Sequence, residues 1–427
     1  MREAPRVLLS AYQCGPGMGS VSQIGWEWYS RLARRVPVTL ATHIRNRAAL
    51  DAAGAPVGDS RILYVDTEWF AGPLYRAARR LFPSSEHAVF LLSSADFYVY
   101  DRQLLRKLRR EPERWSLVHA PTPVSPLAAT VLHRLGRPVI LGPWNGGLAT
   151  PATFPELMRA DAAWFYRLRV LGRVMNRIAG STRHAALILS ATRATDESVL
   201  PEDRGRCVRM LENGVDLERF GPAPWPPGPS PEEPLRVLFV GRLIPAKGVP
   251  LLIEAARRLR GEVPLAVCIV GDGPAAEECR RQAEEWGLGG TVEFAGARPL
   301  EEIPGFLHGA HVLCLPSVRE SGGGVLLEAM ACARPVIAVR HGGPAEIVDD
   351  AVGALVPADG PEAAVAGLVE ALRDLARNAQ AWRQRGECGR RRAEAQYGWE
   401  AKIETVLELY RRVLAGAGAA APQEVAG

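Results

Sequence analysis

The sequence predicts an α/β protein made of two doubly wound parallel-sheet domains facing a central cleft, and three observations carry that prediction. The chain of 427 residues is longer than one ordinary hydrophobic core serves, so two domains are expected. "RVLLSAY" (6–12) and "LRVLFVG" (235–241) are apolar runs that each lead into a Gly-rich loop, as the first strand of an α/β unit does. After the second of them, short apolar runs alternate with segments of helical periodicity. Strands alternating with helices build a parallel sheet covered on both faces.

The elements follow in order. In the N-terminal half, "VPVTLAT", "RILYVD", "SLVHA", "RPVILGP" and "ALILSA" read as further strands. The Arg-rich region 76–114, with "RAARRLF" and "LLRKLRR", reads either as a solvated helix face or as a surface that meets an anionic or membrane-bound partner. "RFGPAPWPPGPSPEEP" (219–234) repeats Pro too often for a helix or a central strand and reads as an interdomain linker. Beyond it come the helix "VPLLIEAARRLRG", the strand "PLAVCIVG", the helix "PAAEECRRQAEEWG" and the strand "TVEFAG". The short helix "LEEIPGFLHGA", the strand "HVLCLPS", the helix "GVLLEAMACA" and the strand "RPVIAVR" continue the alternation. "WEAKIETVLELYRRVL" (399–414) is an amphipathic helix, and "AGAGAAAPQEVAG" a disordered tail. The expected organisation is an N-terminal Rossmann-like domain (1–218), a linker (219–234) and a C-terminal Rossmann-like domain (235–396). A helix returning to the N-terminal domain (397–415) and a tail (416–427) complete it.

Composition narrows the class. At 47% hydrophobic and 23% charged the chain has the make-up of a soluble globular protein, and its net charge of +5 gives no reason to expect nucleic acid as a partner. Only Lys107, Lys247 and Lys402 among the 52 basic residues are lysine, so each lysine stands out against an arginine background. Seven scattered cysteines without C-x-x-C indicate neither a disulfide framework nor a zinc site, and a reducing cytoplasm is expected. The N-terminus has no signal-peptide core, and no stretch of 18 apolar residues is present to span a membrane. The absence of D-x-D, of H-x-x-x-H and of a Walker A sequence leads to the expectation of no metal and no resident cofactor.

In doubly wound sheets, ligands bind at loops beyond the carboxyl ends of strands. "GRLIPAKG" (241–248) is such a loop, and it places Arg242 and Lys247 five residues apart beside Gly241. A guanidinium fork and an ammonium point charge there suit a diphosphate. "ESGGGVLLE" (320–328) follows the strand "HVLCLPS". Gly322, Gly323 and Gly324 expose amides where a helix starts near Val325, which favours an anion or a hydroxyl. Glu320 lies in the loop, and Glu328 lies one turn inside a helix otherwise made of Val, Leu, Ala and Met. A carboxylate in that setting needs an ion pair or hydroxyl groups to satisfy it. Two carboxylates for vicinal hydroxyls, beside a phosphate site, describe a sugar nucleotide. "GPGMGS" (15–20) spells G-x-G-x-G, which taken alone is as readily a plain turn as a ligand loop. His119, ending "SLVHA", faces either the crevice or the core.

The residues "VGRLIPAKG", "IVGDGP", "EFAG", "HVLCLPSVRESGGGVLLEAMACARPVIAVRHGGPAEIV" and "YGWE", with "ENGVDLERFGP" before the linker, resemble the family-4 retaining glycosyltransferases (glycosyl transferases group 1) of the GT-B fold. The resemblance is specific over about 185–415 and looser elsewhere. It implies transfer of a sugar from a nucleoside diphosphate sugar, uridine-based by family frequency, to an acceptor hydroxyl on a glycan, a lipid-linked precursor or a natural product. It implies no metal. By the resemblance, Arg242, Lys247 and Glu320 are the catalytic set. Gly17, Gly19, Gly241, Gly271, Gly273, Arg298, Gly322, Gly323, Gly324, Val325 and Glu328 hold the donor, and His119 and Asn145 reach the sugar or acceptor. Two departures are visible. Gly322-Gly323 stands where the family usually has Phe-Gly, and Pro121 in "VHAPTP" stands where many members carry a second His. A nucleotide-sugar epimerase and a non-catalytic sugar-nucleotide binder share the architecture. The missing second His weighs against the first, and the complete Arg/Lys/Glu/Glu set against the second. The expected location is the cytoplasm, with peripheral contact at the inner face of a membrane through 76–114.

Overall fold

The computed structural model describes residues 4–83, 89, 92–111, 113–156, 164–230 and 233–416. The chain divides into two compact units. One comprises Met1–Gly147, Tyr166–Glu212 and Ile403–Gly427, the other Leu148–Phe165 and Asn213–Lys402.

The first unit is built on β1 (Val7–Ala11), β2 (Val38–His43), β3 (Arg61–Val65), β4 (Leu117–Thr122), β5 (Val139–Trp144), β6 (Leu187–Ser190) and β7 (Cys207–Arg209). They form one parallel sheet in the order β3-β2-β1-β4-β5-β6-β7. β1, β2 and β5 are buried along their whole length, which is why their sequences run apolar without alternation, whereas the edge strand β3 opens on an exposed Arg61. The second unit carries β8 (Leu235–Val240), β9 (Leu265–Val270), β10 (Val292–Gly296), β11 (Val312–Leu315), β12 (Val336–Val339) and β13 (Gly353–Val356). Its parallel order is β10-β9-β8-β11-β12-β13.

Each sheet reverses its winding direction once, between β1 and β4 in the first unit and between β8 and β11 in the second. At such a reversal the loops beyond the two strands diverge to opposite faces and leave a crevice. The loops that follow β8 and β11 are 241–248 and 316–323, the two stretches that carry the paired cations and the first glutamate.

The segment read as a linker is held along the second unit. Arg334, 1% exposed, donates to the carbonyls of Ala223 (3.1 Å), Pro224 (2.7 Å), Leu307 (3.0 Å) and His308 (2.9 Å). The His311 and His308 rings bond the carbonyls of Pro227 and Gly221. Consecutive prolines leave carbonyls that no strand or helix can use, and one buried guanidinium collects two of them. Residues 148–156 also lie on this unit, where Thr153 Oγ1 donates to the Ala358 carbonyl at 2.7 Å. The last helix, Trp399–Leu414, contributes Trp399–Lys402 to the second unit and Ile403–Leu414 to the first. The expected tail lies, from residue 417 on, outside the described residues, as do 84–88, 90–91 and 112 of the Arg-rich region.

Candidate functional site

The loop after β8 is shaped by its own sequence. Pro245 starts a 3-10 turn, Pro245–Lys247, that Gly248 ends in the left-handed region at φ 67°, and the Val249–Arg258 helix follows at once. A Cβ on Gly248 would sit 2.1 Å from the Pro316 carbonyl oxygen, so the loops after β8 and β11 lie in direct contact. The amide of Val318 donates to the Ala246 carbonyl at 2.9 Å and fastens them.

This contact brings Lys247 to Glu320. The ammonium donates to Glu320 Oε2, with the two side chains 21% and 14% exposed. Glu320 Oε1 accepts from the Gly323 amide at 3.1 Å. Gly323, left-handed at φ 54°, caps the Gly324–Ala331 helix. The amides of Gly324 and Val325 point out of that helix start and meet no acceptor among the described residues. One carboxylate therefore links a cation to the Gly323 amide at a helix start, where the dipole favours an anion. Arg242 is exposed on the same loop, and its guanidinium has no ion pair among the described residues.

Gly241, Gly271 and Gly273 belong to this neighbourhood through backbone packing. A Cβ on Gly271 would lie 1.9 Å from the Gly241 oxygen, and one on Gly273 2.4 Å from the Leu243 oxygen. The glycines let the loops beyond β8 and β9 approach closely. Gly322 is buried on the chain from Glu320 to the helix. Glu328 projects from the Gly324–Ala331 helix, part-buried, and burial pushes its carboxyl up to about 7 against a small opposing pull from Arg219. Arg298 leaves β10, donates through Nε to the Ala295 carbonyl at 3.0 Å and stays exposed. Among the described residues no group of His, Cys, Asp and Glu is arranged to hold a metal ion.

The remaining expected residues lie in the first unit. Gly17 and Gly19 adopt positive φ (72° and 99°) with open space where a Cβ would be, and Gly19 precedes the Ser20–Leu32 helix. His119 is placed differently from the expectation that it reaches a sugar. It is 0% exposed, with Nε2 donating to the Gly142 carbonyl (2.7 Å) and Nδ1 accepting from the Tyr410 hydroxyl (2.6 Å). Burial lowers its pKa to about 4, so the ring is a neutral core group with both nitrogens in use. Asn145 turns its side-chain amide to the buried Glu212 carboxylate.

Residues 226–387 match the family described as "Glycosyl transferases group 1". This segment is the part of the chain that is similar to the group 1 glycosyl transferases. Among curated relatives it is 34% identical over 247 residues to alpha-maltose-1-phosphate synthase of Mycobacterium tuberculosis, covering 53% of this chain and 62% of that one. It is also 34% identical over 215 residues to a GDP-mannose-dependent alpha-(1-6)-phosphatidylinositol monomannoside mannosyltransferase of Mycolicibacterium smegmatis, with 47% and 55% covered. The matches thus span less than two thirds of these relatives' length. Over nearly the whole chain (95%, and 99% of the other), the fold follows Anabaena HepE solved in complex with UDP, with a TM-score of 0.64 at 16% identity. Two parallel α/β sheets of seven and six strands in one chain are the GT-B class.

Within the group 1 segment lie Arg242, Lys247, Arg298, Glu320 and Glu328. Arg219, just outside it, is a charge that sequence reasoning did not single out. It sits in "ENGVDLERFGP", and only tertiary structure reveals that its charge reaches Glu328.

Proposed function

We propose that this chain is a retaining glycosyltransferase that moves a sugar from a nucleoside diphosphate sugar to an acceptor hydroxyl. The observation that carries the reading is the Lys247–Glu320–Gly323 link at the winding reversal of the second unit, with Arg242 and the Gly324 and Val325 amides beside it. A diphosphate arriving there takes over the Lys247 ammonium and the helix-start amides, and Glu320 is released to sugar hydroxyls. Glu328 holds hydroxyls of the ribose. Gly241, Gly271, Gly273, Gly322 and Gly323 let the donor approach the backbone, Arg298 borders the nucleotide, and Gly17 and Gly19 form the N-terminal glycine loop that closes on the donor. Negative charge grows on the leaving phosphate as the glycosidic bond breaks, and Arg242, Lys247 and the amides stabilise it most at that moment. The leaving phosphate accepts the acceptor's proton, and no metal is needed.

That HepE was solved with UDP, and that a relative is described as GDP-mannose-dependent, supports a nucleoside diphosphate sugar as donor. The reading places the first unit on the acceptor side, with an acceptor of unassigned identity. It locates the protein in the cytoplasm, with peripheral contact at the inner face of a membrane through 76–114. Among the described residues no helix is long and apolar enough to cross one.

The test is a panel of labelled nucleotide sugars with wild type and Lys247→Ala. Wild type should release nucleoside diphosphate, and the variant should lose roughly 10²–10³ in rate, as removal of one preorganised donor does. Isomerised sugar instead of transfer marks an epimerase, and binding without turnover marks a sensor. Near-normal turnover by Lys247→Ala removes the diphosphate assignment.

A further inference from the structure

The first unit holds a pocket of about 580 Å³. It opens beyond the carboxyl ends of β1, β2 and β4, at that unit's own winding reversal. Its inner end is polar and fixed. The Tyr12 hydroxyl donates to Asp96 Oδ2 at 2.7 Å, and His43 Nε2 bonds Thr67 Oγ1 at 2.8 Å. Asp96 and His43 are 0% and 2% exposed. Phe97, Tyr98 and Leu127 add apolar lining, and the outer members are Tyr75, 49% exposed, and the exposed Arg79. Both outer residues belong to the Glu68–Leu81 helix.

That helix has an outward face unlike an ordinary solvated one. Trp69 and Leu81 are 66% and 69% exposed, and Arg76, Arg79 and Arg80 are interleaved with them. The Asp96–Leu108 helix packs beside it and adds the exposed Arg102, Arg106 and Lys107. The acidic residues of the two helices do not offset these charges. Asp96 and Asp101 are buried, the latter accepting from Thr130 Oγ1 and the Val131 amide, and Glu68 is paired with Arg45. None of these six cations has a carboxylate partner among the described residues. A surface that only needs water does not need an exposed Trp and Leu. A nucleic acid rewards the cations and a stacked ring but gives nothing for Leu81. Exposed arginines set among large apolar groups, with Trp69, Arg76 and Arg80 on one face of the helix and Leu81 at its exposed end, suit the headgroup boundary of an anionic bilayer.

We propose that the Glu68–Leu81 and Asp96–Leu108 helices are a docking face for an anionic lipid bilayer, with the mouth of the Tyr12–Asp96 pocket turned to the headgroups. This deepens the membrane contact in the reading above and names its surface and its lipid chemistry. The arginines supply the attraction to anionic headgroups, and Trp69 and Leu81 enter the interface. Tyr75 and Arg79 connect that interface to the pocket.

The test is sedimentation of the full chain with vesicles of phosphatidylcholine alone or mixed with phosphatidylglycerol. Wild type should bind the mixed vesicles, not the neutral ones, and lose binding as salt rises. Arg76→Glu/Arg80→Glu and Trp69→Ser/Leu81→Ser should each lower binding roughly tenfold or more. The thermal shift given by UDP-glucose, which reads the second unit, should match wild type in both variants and also establishes that they are folded. Equal binding to neutral and anionic vesicles, no binding to either, or binding to single-stranded RNA in place of vesicles overturns the proposal. Vesicle binding without a nucleotide-sugar shift in wild type leaves the docking face standing and removes the transferase reading.

Discussion

At the scale of single residues, Glu328 is the most informative group. Its carboxyl, pushed up to about 7 by burial, lies above the usual Glu value, so the folded protein holds this proton more tightly than the unfolded chain does. Its contribution to stability therefore falls as pH rises from about 4.5 to 7, by up to about 3 kcal/mol. Glu328→Gln should melt higher than wild type at pH 8 and no differently at pH 4.5, while its affinity for nucleotide sugar falls below wild type at pH 8 and comes close to it at pH 4.5. Wild-type affinity should rise through pH 7 as the carboxylate forms and accepts ribose hydroxyls. A variant no more stable than wild type at pH 8 rejects this account of the burial. Glu328 was legible in the sequence because a carboxylate among Val, Leu, Ala and Met is out of place unless something engages it. Lys247 was legible because lysine is so scarce in this chain. His119 was not, since a histidine at a strand end reads the same whether its ring meets the crevice or a tyrosine nearly 300 residues on. Arg219 was missed for the same reason, because its relation to Glu328 exists only in three dimensions.

At the scale of elements, the strands that sequence located are the apolar ones, the four-residue β6, β11 and β12 among them. β7 and β13 escaped, with three and four residues, and β13 opens on Gly353 and Ala354, which carry no β signal. The strand-end glycines were legible as a pattern, but their reason was not. Gly271 has φ 138°, and a Cβ on it would meet the Gly241 oxygen at 1.9 Å. Gly261 has φ 80° and open space around it. Both resist a side chain for backbone reasons, but only Gly271 adds a collision with another loop. Gly261→Ala should cost about 1 kcal/mol and leave donor binding intact. Gly271→Ala should cost about 2 kcal/mol or more and weaken the UDP-glucose thermal shift, because it pushes the loop that bears Arg242. Equal melting temperatures for the two variants reject the close-approach explanation.

At the scale of the whole molecule, the sequence located the Trp399–Leu414 helix residue for residue, because its apolar positions keep a helical period from end to end. It did not mark the crossing of the chain after residue 147, inside the stretch read as one N-terminal domain. Residues 148–156 leave the first unit for the second, and the last helix changes unit at Lys402 and Ile403. Ile403, Val406 and Tyr410 are 0% exposed in the first unit, and Trp399 is 5% exposed in the second. Tyr410 also donates to His119 Nδ1, so the helix completes the polar pairing of a buried strand. Removing the chain from Trp399 onward uncovers apolar surface and leaves His119 without one partner, and this should abolish recovery of folded protein. Tyr410→Phe keeps the ring and removes only the donor. It should fold, bind UDP-glucose as wild type does, and lose about 1–3 kcal/mol in chemical denaturation, the cost of a buried acceptor left unpaired. A truncated chain that folds and turns over donor normally would show that the helix is dispensable. A Tyr410→Phe chain as stable as wild type would show that its hold on the sheet is apolar alone.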